Sequence, residues 1–260
     1  MKKYIAVVKC SIQLTIAYRT TYIINILFSL VSALLLLCLW DAVYQGKSEL
    51  MNFSWEEMKA YIMIVFIINT DLYSEHRCSR KILDGSIIMD LIKPVQHQEY
   101  TLSEILGSIL VSITLSIVIS SIIFMVFGMY TPDHVLVWLL FIISLGLALF
   151  IKYLIIFVFS LFSFWTHNVT GTLWTRVAIT NFFSGALIPI SFFPEWLQRI
   201  ALLLPFQGII NTPVIIFTMQ VSFNQMILSI YLQILWIIVI WIVAKFLFRI
   251  CIQNIVINGG

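Results

Sequence analysis

Polar side chains interrupt one strongly apolar stretch at a fixed interval. Thr172, Arg176, Thr180 and Ser184 fall every fourth residue, with Asn168 one step earlier and Asn181 alongside. On a helix that interval gathers them on one face. In an apolar setting such a face either hydrogen-bonds a neighbouring helix or lines a path that water and a polar solute can use. Arg176 also reads as a residue near a membrane boundary that snorkels outward. Lys152 lies roughly 25 Å along a helix begun at Val135, and either snorkels as well or pairs with Asp71. These groups can bind, orient and neutralise a solute. Groups that would make or break covalent bonds are not evident: no Gly-x-x-x-x-Gly-Lys-Ser/Thr phosphate loop occurs, His76, His97, His134 and His167 are scattered, and no nucleophile-elbow pattern is present.

The elements that must hold these side chains follow from composition. With 61% hydrophobic and 10% charged residues in 260, and a mean hydropathy of +1.03, the chain has too little polar surface to solvate a globule. Several apolar runs reach the ~20 residues that a helix needs to cross a hydrocarbon core. The expected fold is an all-α integral membrane protein forming a single domain over residues 1–260. Its crossings are expected near 22–44, 57–74, 102–130, 135–164, 170–192 and 223–248. The second is the weakest by hydropathy, because Asn69, Thr70 and Asp71 sit near its end.

Residues 1–20 begin like a signal sequence with Lys2 and Lys3, but Lys9, Gln13 and Arg19 interrupt the apolar core and no small-residue cleavage site follows. Ile5, Val8, Ile12 and Ile16 share one helical face, so the segment is expected to lie in the membrane interface. Six crossings put both termini on one side. Lys2, Lys3, Lys9, Arg19, Arg77, Arg80, Lys81, Lys93, Lys152, Arg176, Lys245 and Arg249 fall on that side and only Lys47, Lys59 and Arg199 on the other. That bias assigns both termini to the cytoplasm, and the net charge of +3 then reflects topology, with no nucleic acid implied. Cys10, Cys38, Cys78 and Cys251 form no paired motif, so neither a disulfide framework nor a metal site is expected.

Two loops are long enough to carry function. In the cytoplasmic one, residues 79–99, Ile82, Leu83, Ile87, Ile88, Leu91 and Ile92 have helical spacing with Asp84 and Asp90 on the polar side; Gly85 permits a turn and Lys93-Pro94 stops the segment. A short amphipathic helix is expected, lying either on the membrane surface or in a groove of a soluble partner. In the external one, residues 193–212, Pro189 is expected to kink the end of the fifth crossing and Pro194 to sit in the first turn of a new helix. Glu195 and Arg199 are spaced for an ion pair, and Pro205 ends the piece. The segment is expected to be a broken, re-entrant helical hairpin.

Both loops resemble motifs of the bacterial ABC-2-type export permeases. The segment DGSIIMDLIKPV is similar to that family's Gly-x-h-x-x-x-L-h-x-P-h pattern (h, hydrophobic), with Gly85, Leu91, Lys93 and Pro94 in the marked slots and Ile87, Ile88 and Met89 filling apolar ones. Leu83 and Asp84 lead into it. The segment SGALIPISFFPEWLQRIALLLPF is similar to the family's outer motif through Ser184, Gly185, Pro189, Pro194, Trp196, Leu197, Ile200, Pro205 and Phe206. The resemblance implies a transmembrane subunit of a bacterial plasma-membrane exporter. It implies two separate ABC ATPase subunits that bind the ATP and magnesium, a second permease subunit, identical or related, and a coupling helix at 82–93 docked on an ATPase. This chain itself would bind no cofactor. The residues alone leave open a proton-coupled secondary carrier using Asp71 and Lys152, or a non-transporting immunity or lipid-interacting membrane protein.

Overall fold

The computed structural model describes residues 2–47, 49–51, 53–69, 79–82, 84–93, 95–128, 130–166 and 169–253; at 21–22, 91, 125–127 and 253 the description covers the backbone alone. Nearly all of it is helical. In chain order the helices are α1 (Lys2–Ala17), α2 (Arg19–Tyr44), α3 (Trp55–Asn69), α4 (Ile87–Leu91), α5 (His97–Phe127), α6 (Val135–Leu161), α7 (Ser163–Thr166), α8 (Val169–Ser184), α9 (Glu195–Leu203), α10 (Asn211–Phe217) and α11 (Phe223–Gln253). A two-residue antiparallel hairpin, β1 (Glu49–Leu50) and β2 (Phe53–Ser54), joins α2 to α3.

Four helical stretches among the described residues are long and apolar enough to cross a membrane: Ile23–Tyr44, His97–Phe124, Val135–Thr166 and Phe223–Ile252. Their outer faces are apolar, with Phe28, Leu35, Tyr231 and Phe246 each at least 65% exposed. So much exposed apolar surface is tolerable only where the surrounding solvent is lipid. The protein is therefore a helical membrane protein.

The remaining two expected crossings correspond to α3, 15 residues, and α8, 16 residues. α3 is packed on α2, α5 and α10. Met58, Tyr61, Ile62, Ile64, Phe66 and Ile68 are all buried along it. The segment with the weakest hydropathic signal is thus the most enclosed, because a helix surrounded by protein needs no continuous lipid-facing surface. Its start is fixed locally: the Glu57 carboxylate accepts hydrogen bonds from the Ser54 backbone N–H (2.7 Å) and hydroxyl (2.9 Å), while the Glu57 N–H donates to Ser54 Oγ (3.3 Å). This reciprocal capping box satisfies donors that a helix start leaves open.

The fifth crossing is shorter than the sequence suggests. α8 stops at Ser184, where Gly185 takes φ +84° and the Ala186 N–H donates to the Asn181 carbonyl. That is a Schellman termination, which requires the left-handed conformation that glycine adopts without strain. Pro189 consequently kinks no helix; it caps a 3₁₀ turn, Ile190–Phe192. Pro194 likewise precedes the first turn of α9 as its cap instead of sitting within it. The third crossing begins earlier than expected, since α5 extends back to His97.

The N-terminal helix lies along α5. Ser11 and Thr15 are buried, and the Ser11 hydroxyl donates to the Glu104 carbonyl. Ile5 and Ile16 point outward, 63% and 56% exposed, which leaves an apolar stripe available to lipid. The contact is close because residue 107 is glycine: a Cβ there would stand 2.6 Å from both Ser11 Cβ and the Val8 carbonyl oxygen.

Candidate functional site

At one end of the bundle, α4 is held by a charge network. The Asp84 carboxylate accepts hydrogen bonds from the Ser86 N–H (3.0 Å) and hydroxyl (2.7 Å), and Gly85 takes φ +73°. These fix the turn that launches α4. Asp90, expected on the polar outer side, instead points inward and is 5% exposed. Its carboxylate accepts from Lys81 (2.9 Å) and Lys93 (2.7 Å), and Lys81 also donates to Glu104 of α5 (2.8 Å). Lys93 donates to the Tyr100 hydroxyl (2.9 Å) and sits 4.2 Å from that ring's centroid. Burial alone would raise the Asp90 carboxyl, but the hydrogen bonds and charges of Lys93 and Lys81 hold it below its ordinary range. Burial opposes charge on Lys81 too, and Glu104 and Asp90 outweigh it and raise the ammonium.

With its acid turned inward, α4 presents apolar side chains outward. Met89 is 68% and the adjoining Ile92 73% exposed, while Ile87 is buried. Leu83 and Pro94, and the Leu91 side chain, lie outside the described residues. Behind α4, the first turn of α5 is locked to the core. The Tyr153 hydroxyl of α6 donates to the Gln98 carbonyl (2.9 Å), and the His97 ring stacks on Phe248 of α11 with centroids 4.8 Å apart. The α4 network thus adjoins the point where α5 meets α6 and α11.

The regular stripe of α8 faces inward. Arg176, Thr180 and Ser184 are 4%, 5% and 0% exposed. Arg176 does not snorkel outward; with Thr180 and Asn181 it lines a cavity of about 300 Å³ whose walls also include Ser29 and Ser32 of α2, Asn69 of α3 and Lys152 of α6. Lys152 is 6% exposed, and its ammonium donates to the Ile68 carbonyl (2.8 Å). Asp71, the suggested partner of Lys152, and Asn168 lie outside the described residues. The hydroxyls of Thr180 and Ser184 are buried without a hydrogen-bond partner among the described residues, which costs free energy unless something fills that role. Thr172, by contrast, sits at the Thr166 hydroxyl, 3.2 Å away, toward the start of the helix.

At the opposite end the chain from Phe192 to Phe206 is not one continuous crossing. The 3₁₀ turn Ile190–Phe192, α9, a second 3₁₀ turn Pro205–Gly208 beginning at Pro205, and α10 follow in succession. α9 buries Ala201, while Trp196, Ile200 and Leu203 are exposed. Arg199 and Glu195 are 3.8 Å apart, with both side chains over 80% exposed, so the pair is too solvated to hold the segment. The aromatic ring of Phe192 packs on Trp40 and Phe53, with centroids 5.2 and 6.4 Å apart, placing this end beside the α2–α3 hairpin.

A polar cluster that neither motif includes anchors the returning strand of this segment. Gln233 of α11, 1% exposed, donates to the Gly208 carbonyl (2.7 Å) and the Ser144 carbonyl (3.2 Å), and accepts from the Ser144 hydroxyl (3.1 Å). The Thr212 hydroxyl donates to Gln207 (2.9 Å) beside it. Gln233→Leu strands the Ser144 hydroxyl and the Gly208 carbonyl, and unpaired buried groups cost about 1–3 kcal/mol. The expected result is a lowered unfolding temperature in detergent, with the loss confined to the 205–217 region in hydrogen-exchange mapping. An unchanged melting profile would contradict it.

Compared with known proteins, the chain matches the family described as ABC-2 family transporter protein over residues 30–259. No curated protein matches it.

Proposed function

The chain belongs to the ABC-2 family of transporter proteins and is a membrane transport component, and on that premise we propose that it is the permease subunit of an ATP-driven exporter whose ATPase is a separate polypeptide. Six crossings, formed by α2, α3, α5, α6 with α7, α8 and α11, put both termini on one side, and the Lys/Arg bias makes that side the cytoplasm of a bacterial cell. Two ATPase subunits, carrying the ATP and magnesium, work on a pair of permease subunits. α4 is the docking helix: Met89 and Ile92 enter the ATPase, while Asp90, through Lys81 and Lys93, ties the helix to Glu104 and Tyr100 of α5.

The observation that carries this reading is the orientation of α4, with its acid paired inward and its apolar side chains outward. A helix end made to resist solvent alone would expose the acid. Closure of the ATPases upon ATP pushes α4, and α5 passes the displacement to α6 and α11. The solute path follows the Thr172, Arg176, Thr180, Asn181 and Ser184 face, and the broken segment from Pro189 to Pro205 caps its outer end.

Co-expression of the chain with its candidate ATPase tests the docking. Co-purification is expected from the native chain and is expected to fall at least about tenfold for Met89→Asp combined with Ile92→Asp, since two carboxylates in an apolar interface must be desolvated. Equal recovery of the ATPase with native and doubly substituted chains would reject the assignment.

A further inference from the structure

A groove opens beside the N-terminal helix at the point where α2 leaves α5. α1 packs closely along α5, and the approach of Ser11 to Gly107 presses the two together. At Tyr18 the backbone departs from the helical path (φ −94°, ψ 33°), and α2 beyond it touches α5 only lightly. The splayed helices leave an open hollow of about 530 Å³ whose walls include Ile12 and Ile16 of α1, Ile23 of α2, and Leu110 and Leu115 of α5. Ile16, Ile23 and Leu110 are each more than half exposed.

One charged side chain lines this hollow. Arg19 is exposed and makes no ion pair among the described residues. None of the described lining residues is acidic, and the sequence holds no Asp or Glu before Asp41. The hydroxyls of Thr15 and Thr114, also in the wall, donate to carbonyls of their own helices at 2.9 and 2.7 Å. Arg19 stands about one helical turn before Ile23, where the membrane-length stretch of α2 begins. That is the depth of phospholipid headgroups, and the apolar wall at Ile23 leads from it toward the hydrocarbon. An acyl chain that leaves bulk lipid for such a hollow exchanges one hydrocarbon surface for another. Selectivity therefore lies with the head, whose phosphate oxygens match the donor fork of a guanidinium.

We propose that this hollow seats one phospholipid with an anionic headgroup, its phosphate held by Arg19 and one acyl chain laid against Ile23 and Leu115. The volume falls within the range of about 300–1,000 Å³ in which proteins hold small ligands, enough for part of one lipid, whose second chain stays in the bilayer. A zwitterionic head brings its own cation beside the phosphate, so a lone arginine favours the anionic head. The lipid fills the gap opened by the break at Tyr18 and braces α1 against α5. The hollow shares no lining residue with α4 or α8, so the proposal does not depend on ATPase docking or on the solute path.

The test is photo-crosslinking of the purified full chain in neutral detergent with phosphatidylglycerol carrying a diazirine in its acyl chain. Phosphatidylcholine with the same chain is the zwitterionic control, and adducts are mapped by peptide mass spectrometry. Labelling is expected to concentrate on residues 12–23 and 110–115, to saturate with lipid, and to favour phosphatidylglycerol about fivefold, the factor that one basic side chain gives near anionic lipid. That preference is expected to be lost in Arg19→Gln and kept in Arg19→Lys, with the unfolding temperature of both variants unchanged because Arg19 holds no other element in place. Thr114→Trp, on an exposed position of the wall, fills the hollow and is expected to lower labelling there by both lipids. Equal labelling by the two lipids, or an undiminished preference in Arg19→Gln, would overturn the proposal. Labelling spread evenly over the outer faces of α5 and α11 would show an unselective lipid belt and overturn it too.

Discussion

On the proposed docking, Asp90→Ala is expected to abolish stimulation of a co-expressed candidate ATPase while leaving the chain in the membrane. The Asp90 carboxylate is the only acceptor joining Lys81 to Lys93 among the described contacts of α4. Removing it leaves Lys81 on Glu104 and Lys93 on the Tyr100 hydroxyl with no carboxylate between them, and loss of one partner from a buried ionic cluster costs about 3–5 kcal/mol when burial is complete. Lys81 and Lys93 retain 24% and 42% side-chain exposure, so solvent screening lowers this to about 2 kcal/mol. That is enough to detach a five-residue helix, which has little stability of its own. Hydrogen exchange over residues 84–93 should accelerate about tenfold or more, and Asp90→Glu should restore part of the protection. Unchanged exchange would show that the network does not hold α4.

The same network sets a pH dependence. Asp90 has a depressed folded value, so its contribution is complete above the ordinary aspartate range, about 3.9, and is lost as pH falls through the lower folded value. Lys81 and Lys93 have raised values, so theirs is complete below about 10.4 and is lost as pH rises through the higher folded values. Protection of the loop is therefore expected to be flat between about pH 5 and 9 and to fail in acid first through Asp90.

Gly107→Leu is expected to be the most damaging substitution outside the loop. A Cβ at this position would lie 2.6 Å from Ser11 Cβ and 2.6 Å from the Val8 carbonyl oxygen. The second of these is backbone, so no rotamer change relieves it and α1 must move away from α5 as a unit. Overpacking of this kind costs about 1–3 kcal/mol, and separation also breaks the Ser11 bond to the Glu104 carbonyl. Since Glu104 receives Lys81 through its side chain, the disturbance reaches the α4 anchor. A fall of several degrees in unfolding temperature is expected, about 2–4 °C per kcal/mol for a chain of this size, together with faster tryptic cleavage at Lys9. Gly107→Ala should give a milder form, only slightly relieved by Ser11→Gly because the Val8 carbonyl remains. Native stability in Gly107→Leu would refute the close approach of α1.

The limits of what the sequence disclosed have physical causes. Long apolar runs carry a strong length signal: α6 and α11 begin at their expected residues and α2 three residues before its own. α8 ends at Ser184 because Gly185 supplies a left-handed helix stop four residues before Pro189, and a glycine stop leaves a weaker mark in an apolar run than a proline does. The inward turn of Asp90 could not be read from helical spacing, because an acid on the apolar side is acceptable only when Lys81, nine residues earlier, folds back to meet it. Gln233 and Ser144 are 89 residues apart on different helices, so only tertiary contact links them. The α8 stripe was legible because its period is strictly local, whereas the convergence of Lys152 upon it was not.

Photo-crosslinking in native membranes tests the central claim most directly. A benzophenone side chain is placed at residue 89, at residue 92 or at residue 196, with the candidate ATPase co-expressed. The account predicts an adduct with the ATPase from residues 89 and 92 and none from residue 196, which belongs to the opposite end of the bundle. An adduct from residue 196, or none from residues 89 and 92 while the ATPase still co-purifies, would contradict it.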